Sequence, residues 1–425
     1  MNVLLIGSGG REHALAWKIS KSPLLKNFYA IPGNPGISKF AECIENISVE
    51  NNSEVVKFAQ EKNIDLVVVG PEAPLVNGLV DDLEKANIKS FGCNKKAAQL
   101  EGSKIFAKNL MKKYEIPTAA FEVFDNPDDA KKYITSQNFP IVIKADGLAA
   151  GKGVIIAENL EDALNAVDEM KNFGDAGNKI VVEEFMNGEE ASVLAFTDGK
   201  IILPMIPAQD HKRVFDNDEG LNTGGMGAYA PAPVVNSEVM KKVEEKILRP
   251  IISALNSEGI IYRGCLYAGL MITNGEPKVV EFNARFGDPE TQVVLPLLES
   301  DLLEIMLACA EGNLSEKKIL WSNDSAVCVV LASGGYPKSY KKNFEIIGID
   351  EAEKFGAEVF HAGTKKSDEK ILTAGGRVLG VTVTEKNIPA AIEKVYKCVE
   401  KIHFDEMHFR KDIATKALKF TSEEK

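Results

Sequence analysis

A row of side chains suited to phosphoryl chemistry lies between residues 279 and 285, which read VVEFNAR. The apolar alternation predicts a strand, on which Glu281, Asn283 and Arg285 point to one face because side chains alternate with a period of two. Carboxylate and amide oxygens suit Mg²⁺ beside phosphate oxygens, and a guanidinium can neutralise charge on a transferring phosphoryl group. The segment therefore indicates metal-assisted phosphoryl transfer, with a buried ion pair of no catalytic role as the alternative.

A second segment, KADGLAAGKG at 144–153, is typical of a loop that covers phosphate groups. It sets Lys144 at the end of a predicted strand and continues through Gly147, Gly151, Lys152 and Gly153. Small residues let backbone amides approach an anion closely. The spacing is not that of a P-loop, and a strand is predicted to follow where a P-loop has a helix. A glycine-rich hairpin with exposed lysines remains the alternative.

A cluster of glutamates marks a third candidate, for a nucleotide base and its ribose. The apolar strand predicted at 180–184 ends near Glu183, Glu184 and Phe185, and Glu190 follows. Main-chain groups at such a strand end can pair with an adenine edge, and a carboxylate can accept ribose hydroxyls. A solvated turn would contain the same glutamates, so this segment is weak on its own.

The opening segment GSGGRE at 7–12 follows a predicted strand and begins a predicted helix, where amides and the helix dipole favour an anion. Gly9 and Gly10 resemble part of a dinucleotide fingerprint, but Glu12 stands where that pattern has glycine. The second strand also ends without an acid to hold a ribose. A sugar-phosphate site, with Arg11 as a forked donor, is favoured over dinucleotide binding and over a purely structural turn.

The elements that must position these segments alternate between strand and helix at the start of the chain. Strands are predicted at 3–7, 27–31 and 65–70, and helices at 11–20 and 55–62. Near-continuous apolar strands linked by helices indicate a parallel sheet covered on both faces. Pro71 and Glu72 follow the third strand, at the edge where such folds bind ligands.

The rest of the chain predicts smaller mixed units. Further strands are predicted at 141–145, 154–157, 180–184, 327–332 and 378–384, helices at 103–114, 160–170, 237–256 and 389–402, and a hairpin around TNGE at 273–276. We predict an α/β and α+β multidomain fold with units at 1–102, 103–190, 191–324 and 325–425. The first is Rossmann-like and the last is a small mixed α/β domain.

Composition narrows the class of partner. The chain has 62 acidic and 50 basic residues and a formal net charge of −12, which argues against a nucleic-acid backbone as the main partner. No apolar stretch is long enough to predict a membrane helix. The six cysteines are scattered without a CxxC pair, so reduced thiols and a cytoplasmic location are expected.

Ten segments spread in order along the chain carry a specific resemblance. They read GSGGREHALAW (7–17), VVVGPEAPLVNGLVD (67–81), AAQLEGSK (97–104), PIVIKADGLAAGKGV (140–154), QDHKRVFDNDEGLNTGGMGAYAPAP (209–233), GCLYAGLMI (264–272), VVEFNARFGDPETQ (279–292), ASGGYP (332–337), HAGT (361–364) and GGRVLGVT (375–382). Together they resemble the phosphoribosylamine–glycine ligase family of ATP-grasp ligases. In that family, units two and three would be the lid and core subdomains of the ATP-grasp fold.

The resemblance implies a reaction and its small-molecule partners. ATP, glycine and 5-phosphoribosylamine would give glycinamide ribonucleotide, ADP and phosphate through glycyl phosphate, in purine synthesis. ATP would be a co-substrate with Mg²⁺, or alternatively Mn²⁺, as the metal. Neither nucleic acid nor membrane is expected as a partner. The resemblance leaves open an interaction with neighbouring enzymes of purine synthesis.

The resemblance also implies roles for individual residues. Catalysis would rest on Arg285 and Lys144, and Glu281 and Asn283 would hold the metal. ATP would be bound by Lys104, Lys144, Gly147, Gly151, Lys152, Gly153, Glu183, Glu184, Phe185 and Glu190. The substrates would be bound by Gly9, Gly10, Arg11, Glu12, Pro71, Glu72, Pro74, Asp210, His211, Lys212, Gly225, Met226, Arg285 and Asp288. Related ATP-grasp enzymes often carry a second acidic metal ligand on the preceding strand, and here that strand reads AGLMI at 268–272.

Three alternatives stay open at this point. The first is another ATP-grasp carboxylate–amine ligase or a carboxylase of similar architecture. The second is an NAD-dependent oxidoreductase built on the first unit, and the third is a nucleotide sensor without catalysis. Tight NADH binding would favour the second, and indifference of function to the loss of Arg285 would favour the third.

Overall fold

The computed structural model describes residues 1–147, 153–170 and 179–421. Its first unit contains β1 (Asn2–Gly7), α1 (Gly10–Ile19), β2 (Asn27–Pro32), β3 (Glu42–Cys43), α2 (Asn52–Glu61), β4 (Leu66–Val69), α3 (Glu72–Asn77), α4 (Leu79–Lys85), β5 (Ser90–Phe91) and α5 (Lys95–Gly102). The strands pair in the order β3-β2-β1-β4-β5, and each pair is parallel. Residues 3–6 of β1 are fully buried, as expected for a strand covered on both faces. The predicted parallel sheet is confirmed.

The second unit forms an antiparallel sheet in the order β6-β9-β7-β8. Its elements are α6 (Lys104–Lys113), β6 (Phe121–Phe124), α7 (Pro127–Ile134), β7 (Ile141–Ala145), β8 (Val154–Ala157), α8 (Leu160–Met170) and β9 (Ile180–Glu184). The strands β7, β8 and β9 and the helix α8 have the predicted bounds. Apolar residues of α7 and α8 cover one face of this sheet and form a small core of their own.

The third unit contains β10 (Glu189–Thr197), β11 (Ile202–Pro204), β12 (Gln209–Asp210), β13 (Arg213–Phe215), β14 (Glu219–Asn222), β15 (Gly227–Ala230), α9 (Ser237–Val243), α10 (Arg249–Ser257), β16 (Gly264–Thr273), β17 (Glu276–Asn283), α11 (Thr291–Leu297) and α12 (Leu302–Glu311). One antiparallel sheet runs β11-β10-β16-β17. Asn274 and Gly275 join β16 to β17 with φ of 52° and 75°, the positive values that a tight type I′ hairpin turn requires. The predicted hairpin is confirmed.

The last unit contains β18 (Ser325–Ser333), α13 (Ile349–Lys354), β19 (Glu358–His361), β20 (Thr364–Ser367), β21 (Lys370–Thr373), β22 (Arg377–Glu385), α14 (Ile388–Val399), β23 (Met407–His408) and α15 (Leu418–Thr421). Its sheet runs β12-β15-β18-β22-β19, with β23 also paired to β18. Two strands from before residue 325 therefore complete the sheet of the last unit. Sequence periodicity did not predict this, because β12 and β15 are short and β15 pairs with β18, about a hundred residues further on.

One predicted element needs correction. The strand β17 ends at Asn283, so Glu281 and Asn283 share its face while Arg285 lies beyond the strand. The predicted helix at 237–256 is confirmed as α9 and α10, which a π-helical turn at Glu244–Leu248 joins without a break. In the ranges that the structure describes, no helix combines the length and apolarity needed to cross a membrane.

Candidate active site

The carboxylate of Glu281 stands at the centre of a group of cations. Burial alone would raise the pKa of Glu281, but Lys212, Lys144, Lys104 and Arg285 together lower it. Gly269 lies opposite Glu281 on β16, and a Cβ there would come within 3.2 Å of Glu281 Cγ. Glycine at this position therefore leaves room for an ionised carboxylate with open coordination.

Glu281 and Asn283, the predicted metal ligands, would form a fitting but incomplete set. They are a carboxylate and an amide oxygen source two residues apart on β17. Across the described residues, no group of three or more histidine, cysteine or acidic side chains could hold a metal ion by itself. A hard cation that accepts one or two protein oxygens and completes its shell with phosphate oxygens and water suits this arrangement.

Two lysines predicted to bind phosphates lie beside this strand. Lys104, at the start of α6, donates from Nζ to the carbonyl of Gly147 at 2.9 Å. Lys144, at the end of β7, donates from Nζ to the carbonyl of Val280 at 3.4 Å. Lys144 thus reaches the strand that carries Glu281, and the charges of both lysines act on the Glu281 carboxylate. Gly147 and Gly153 are the described ends of the loop that is predicted to cover the phosphates, whereas Gly151 and Lys152 lie outside the described residues.

Glu183 and its partners form a buried group that sequence reasoning only partly foresaw. Its Oε1 lies 3.0 Å from Lys144 Nζ, and its Oε2 accepts a hydrogen bond from Lys108 Nζ at 2.9 Å. Burial lowers the pKa of Lys108 to about 8, with Glu183 opposing and Lys144 adding to that shift. Lys108 was not among the predicted residues. Its position four residues after Lys104 on a predicted helix, hence on the same face, could have identified it.

The other predicted nucleotide contacts lie at the end of β9 and the start of β10, at the rim of the cleft between the second and third units. Glu184 accepts hydrogen bonds from the Ala120 amide and from Lys278, and Phe185 is 40% exposed. Glu190, at the start of β10, accepts a hydrogen bond from Lys212 at 2.7 Å. The structure therefore places Glu190 near Glu281, through a lysine that acts on both carboxylates.

The glycine-rich turn before α1 is filled by a side chain of the protein. Glu12 accepts the amide hydrogen of Gly9 at 2.6 Å and pairs with Arg11 Nε at 2.6 Å. A Cβ at Gly7 or Gly70 would collide with the Glu12 side chain. The Arg11 amide donates to Asp288 at 3.3 Å. Two amides that the sequence offered to a phosphate are thus bonded to carboxylates, and Glu12 occupies the space where a dinucleotide fingerprint has glycine.

Arg285 joins the first unit to the end of β17. Its Nη2 lies 2.9 Å from Glu101 and its Nε lies 3.2 Å from Glu72, whose side chain is 35% exposed. Glu101 is buried and also accepts the Ala284 amide at 2.7 Å. Burial raises the pKa of Glu101, although Arg285 opposes that shift. Glu101 was not among the predicted residues, although it lies in the AAQLEGSK segment.

The predicted substrate residues of α3 and of the segment at 210–226 occupy different environments. Burial and the neighbouring Glu290 raise the pKa of Asp210 well above its ordinary value. The buried Oδ1 of Asp210 has no hydrogen-bond partner in the described part of the chain. His211 is buried, its pKa is lowered to about 3 by burial, and its Nε2 accepts the Ala414 amide. Pro71 precedes α3, and Pro74 is buried within it.

Arg377, a residue of the last unit, contacts the third unit beside Asp288. Its Nη1 donates to the carbonyls of Gly224 at 2.6 Å and of Asp288 at 2.8 Å. Gly225 has a φ of 109° and packs so tightly on Pro289 that a Cβ would come within 2.4 Å of that ring, and Met226 is buried beside it. Arg377 was not predicted. Its place in the GGRVLGVT segment is the signal that could have identified it.

The chain is similar in sequence to proteins of one known family over most of its length. Family models for phosphoribosylglycinamide synthetase match as the N domain over residues 1–101, the ATP-grasp (A) domain over 102–291 and the C domain over 326–416. The chain is 50% identical over 417 residues to phosphoribosylamine–glycine ligase of Caldanaerobacter subterraneus subsp. tengcongensis, covering 97% of this chain and 99% of that protein. It is 49% identical over 425 residues to the trifunctional purine biosynthetic protein adenosine-3 of Homo sapiens, covering 98% of this chain and 42% of that protein.

A solved structure agrees with the sequence relatives. The crystal structure of phosphoribosylamine–glycine ligase from Thermotoga maritima superposes with a TM-score of 0.86 at 34% identity, covering 97% of this chain and all of that chain. The resemblance found in the sequence is therefore confirmed. The chain belongs to the phosphoribosylamine–glycine ligase family, a family of ATP-dependent ligases with an ATP-grasp domain.

Proposed function

We propose that this protein joins glycine to 5-phosphoribosylamine at the expense of ATP, giving glycinamide ribonucleotide, ADP and phosphate. The observation that carries the proposal is the match to all three family domains, from the start of the chain to residue 416. A match to the ATP-grasp domain alone would equally fit other ligases and carboxylases of this fold.

The chemistry has two steps. A carboxylate oxygen of glycine attacks the γ-phosphorus of ATP, ADP leaves, and glycyl phosphate forms. The amine nitrogen of phosphoribosylamine then attacks the acyl carbon, phosphate leaves, the nitrogen loses a proton, and an amide remains. Because a carboxylate is a poor acyl donor until it is phosphorylated, the enzyme must mainly position the reactants, disperse phosphoryl charge and exclude water.

We assign the nucleotide to the cleft between the second and third units. Lys104 and Lys144 would contact its phosphates, and the loop from Gly147 to Gly153 would cover them. The main chain of 183–185 would meet the adenine edge, and Glu190 would accept the ribose hydroxyls. This assignment is supported by the hydrogen bond of Lys144 to β17 and by the charges of both lysines that act on Glu281. Within the described residues, no ion pair includes the Glu281 carboxylate.

We assign the metal, Mg²⁺ or alternatively Mn²⁺, to Glu281 and Asn283. When bound, it would draw charge from the phosphate oxygens. Arg285 would lie beside the transferring group, since its charge already acts on Glu281. The acceptor substrate would bind where the first, third and last units meet, near Glu72, Asp210 and Asp288. Support comes from the buried Oδ1 of Asp210, for which the described residues provide no hydrogen-bond partner, and from the partly exposed carboxylate of Glu72.

The setting of the enzyme follows from the same proposal. We propose the four-unit division at 102, 190 and 324 and a cytoplasmic location, the latter supported by six cysteines that all carry free thiols. Cooperation with neighbouring purine-synthesis enzymes is suggested by the human relative, which is trifunctional.

The test is turnover by the purified protein with ATP, Mg²⁺, glycine and freshly generated phosphoribosylamine. We expect ADP release that requires both glycine and the amine, with glycinamide ribonucleotide identified by mass. A parallel reaction with bicarbonate and biotin serves as the control for a carboxylase. ADP release in that control, together with none in the predicted mixture, would overturn the proposal.

A further inference from the structure

Glu183 is held between two buried lysines, only one of which reaches the cleft. Lys108, Glu183 and Lys144 are 3%, 3% and 6% exposed. Lys108 occupies Oε2 of Glu183, and Lys144 lies beside Oε1. One carboxylate thus serves two ammonium groups, and a surplus positive charge remains in the group.

Lys108 is enclosed by partners that belong to the protein. Besides Glu183, its Nζ donates to Thr118 Oγ1 at 2.8 Å and lies 5.5 Å from the centre of the Phe121 ring. Thr118 in turn donates to the carbonyl of Val279 at 2.7 Å. The hydrogen bonds of Lys108 therefore link α6 and the sheet of the second unit to β17, the strand that bears Glu281.

Lys144 has the complementary position. Its Nζ forms an ion pair with Glu183 and donates a hydrogen bond to the carbonyl of Val280, next to Glu281, and its charge lowers the pKa of the Glu281 carboxyl. The two lysines thus share Glu183 but face different surroundings. Lys108 faces the interior, whereas Lys144 faces the strand of the proposed nucleotide and metal site.

We propose that Lys108 is a positioning residue for the nucleotide phosphates: by occupying one oxygen of Glu183, it leaves the charge of Lys144 available to a bound phosphate. This inference rests on the proposed role of Lys144 in ATP binding. Without Lys108, the full charge of Glu183 would act on Lys144 from 3.0 Å. Opposite charges at that distance attract strongly in a buried site, because the local dielectric is low. Lys144 would then be neutralised and held away from the ligand.

The test is the dissociation constant of ATP with Mg²⁺, measured by calorimetry without glycine or phosphoribosylamine. We expect Lys108→Met to weaken ATP binding about tenfold and Lys108→Arg to weaken it less than about threefold, the range expected for changes to one charge-assisted contact. Lys108→Gln, which keeps a donor to Glu183 without the charge, should match the methionine variant. If Lys108→Met does not fold, the ATP affinity of Lys108→Gln tests the proposal in its place.

A second substitution separates positioning from a structural ion pair. Lys108→Met combined with Glu183→Gln removes both charges and should bind ATP at least about threefold more tightly than Lys108→Met alone, because Lys144 is no longer neutralised. Lys112→Met, one turn further along α6 and exposed, is the matched control and should leave ATP affinity unchanged. No recovery in the double variant, or a lowered unfolding temperature of Lys108→Met with unchanged ATP affinity, would overturn the inference. Lack of turnover with glycine and phosphoribosylamine would instead overturn the proposed function, since these binding measurements contain neither substrate.

Discussion

Two groups of charged side chains lie on either side of the end of β17. They differ in whether each charge has a direct ion-pair partner. At the seam with the first unit, Arg285 is paired directly with Glu72 and Glu101. In the cleft, Glu281 is surrounded by lysines, but none of the ion pairs within the described residues includes it. Charges that satisfy one another hold units together, whereas an ionised carboxylate without a direct partner is available to a ligand.

The sharpest test of this contrast is Glu281→Gln. We expect turnover to fall by about a thousandfold, the size associated with loss of one preorganised charge-stabilising group. The unfolding midpoint should change little, because no ion pair of the described residues is broken. Glu276→Gln, at the exposed start of the same strand, is the matched control and should retain turnover. A large loss of stability in Glu281→Gln would place Glu281 with the structural charges instead.

Arg285→Ala tests the other side of the comparison. We expect ATP affinity to persist while most turnover is lost, and the free energy of unfolding to fall by about 3–5 kcal/mol because Glu101 is left buried without its cation. Denaturant titration and steady-state kinetics measure the two effects. Normal stability with lost turnover would mean that the contact between the first unit and β17 does not depend on the Arg285–Glu101 pair. Undiminished turnover would refute the proposed role of Arg285 beside the phosphoryl group.

Gly269→Ala examines the space left for Glu281. The added methyl would lie 3.2 Å from Glu281 Cγ, which is tighter than an ordinary contact and must displace the carboxylate slightly. We expect the Mg²⁺ concentration for half-maximal turnover to rise on the order of fivefold, well below the hundredfold that a 1 Å misplacement can cost. Saturating Mg²⁺ should restore most of the rate. Unchanged Mg²⁺ dependence would count against Glu281 as the metal ligand.

The smallest effect is expected at another closed ion pair, between Arg410, which is fully buried, and Asp412, whose side chain is 22% exposed. Burial alone would raise the pKa of Asp412, but Arg410 and the Asn217 amide hold it at about 2. The folded state therefore binds this proton less readily than the unfolded state, so the stabilisation is present above about pH 4 and is lost as the pH falls through about 2.

Asp412→Asn should remove that contribution. After allowance for solvent screening, we expect a loss of about 1 kcal/mol at pH 7 and a shallower fall in stability between about pH 4 and pH 2. Urea titrations at several pH values measure both. Parallel pH profiles for the two proteins would show that this pair does not contribute to acid sensitivity.

Local sequence features predicted much of the fold, because strands and turns are determined by residues that are close together in the chain. The apolar runs of β1, β7 and β9 read directly as buried strands, and the Asn274–Gly275 pair specified its own hairpin turn. The two-residue period likewise placed Glu281 and Asn283 on one face of β17. The same period was extended too far when it included Arg285, since nothing in the local pattern marks Asn283 as the last residue of the strand.

Residues paired across long sequence distances were not predictable in this way. Glu101 meets Arg285 across 184 positions, and Arg377 meets Gly224 across 153. Lys108 meets Glu183 across 75, and the space that Glu12 fills is left open by Gly70, which lies 58 positions further along the chain. Each of these contacts depends on how separate elements pack.

The sequence by itself therefore determined the elements, the family and the types of group that reach the cleft. Only the tertiary structure decided which charges neutralise one another and which remain open, as the contrast between Arg285 and Glu281 shows. The physical reason is that secondary structure follows from periodicity within a few residues, whereas the state of a charge follows from every group packed within several ångströms of it.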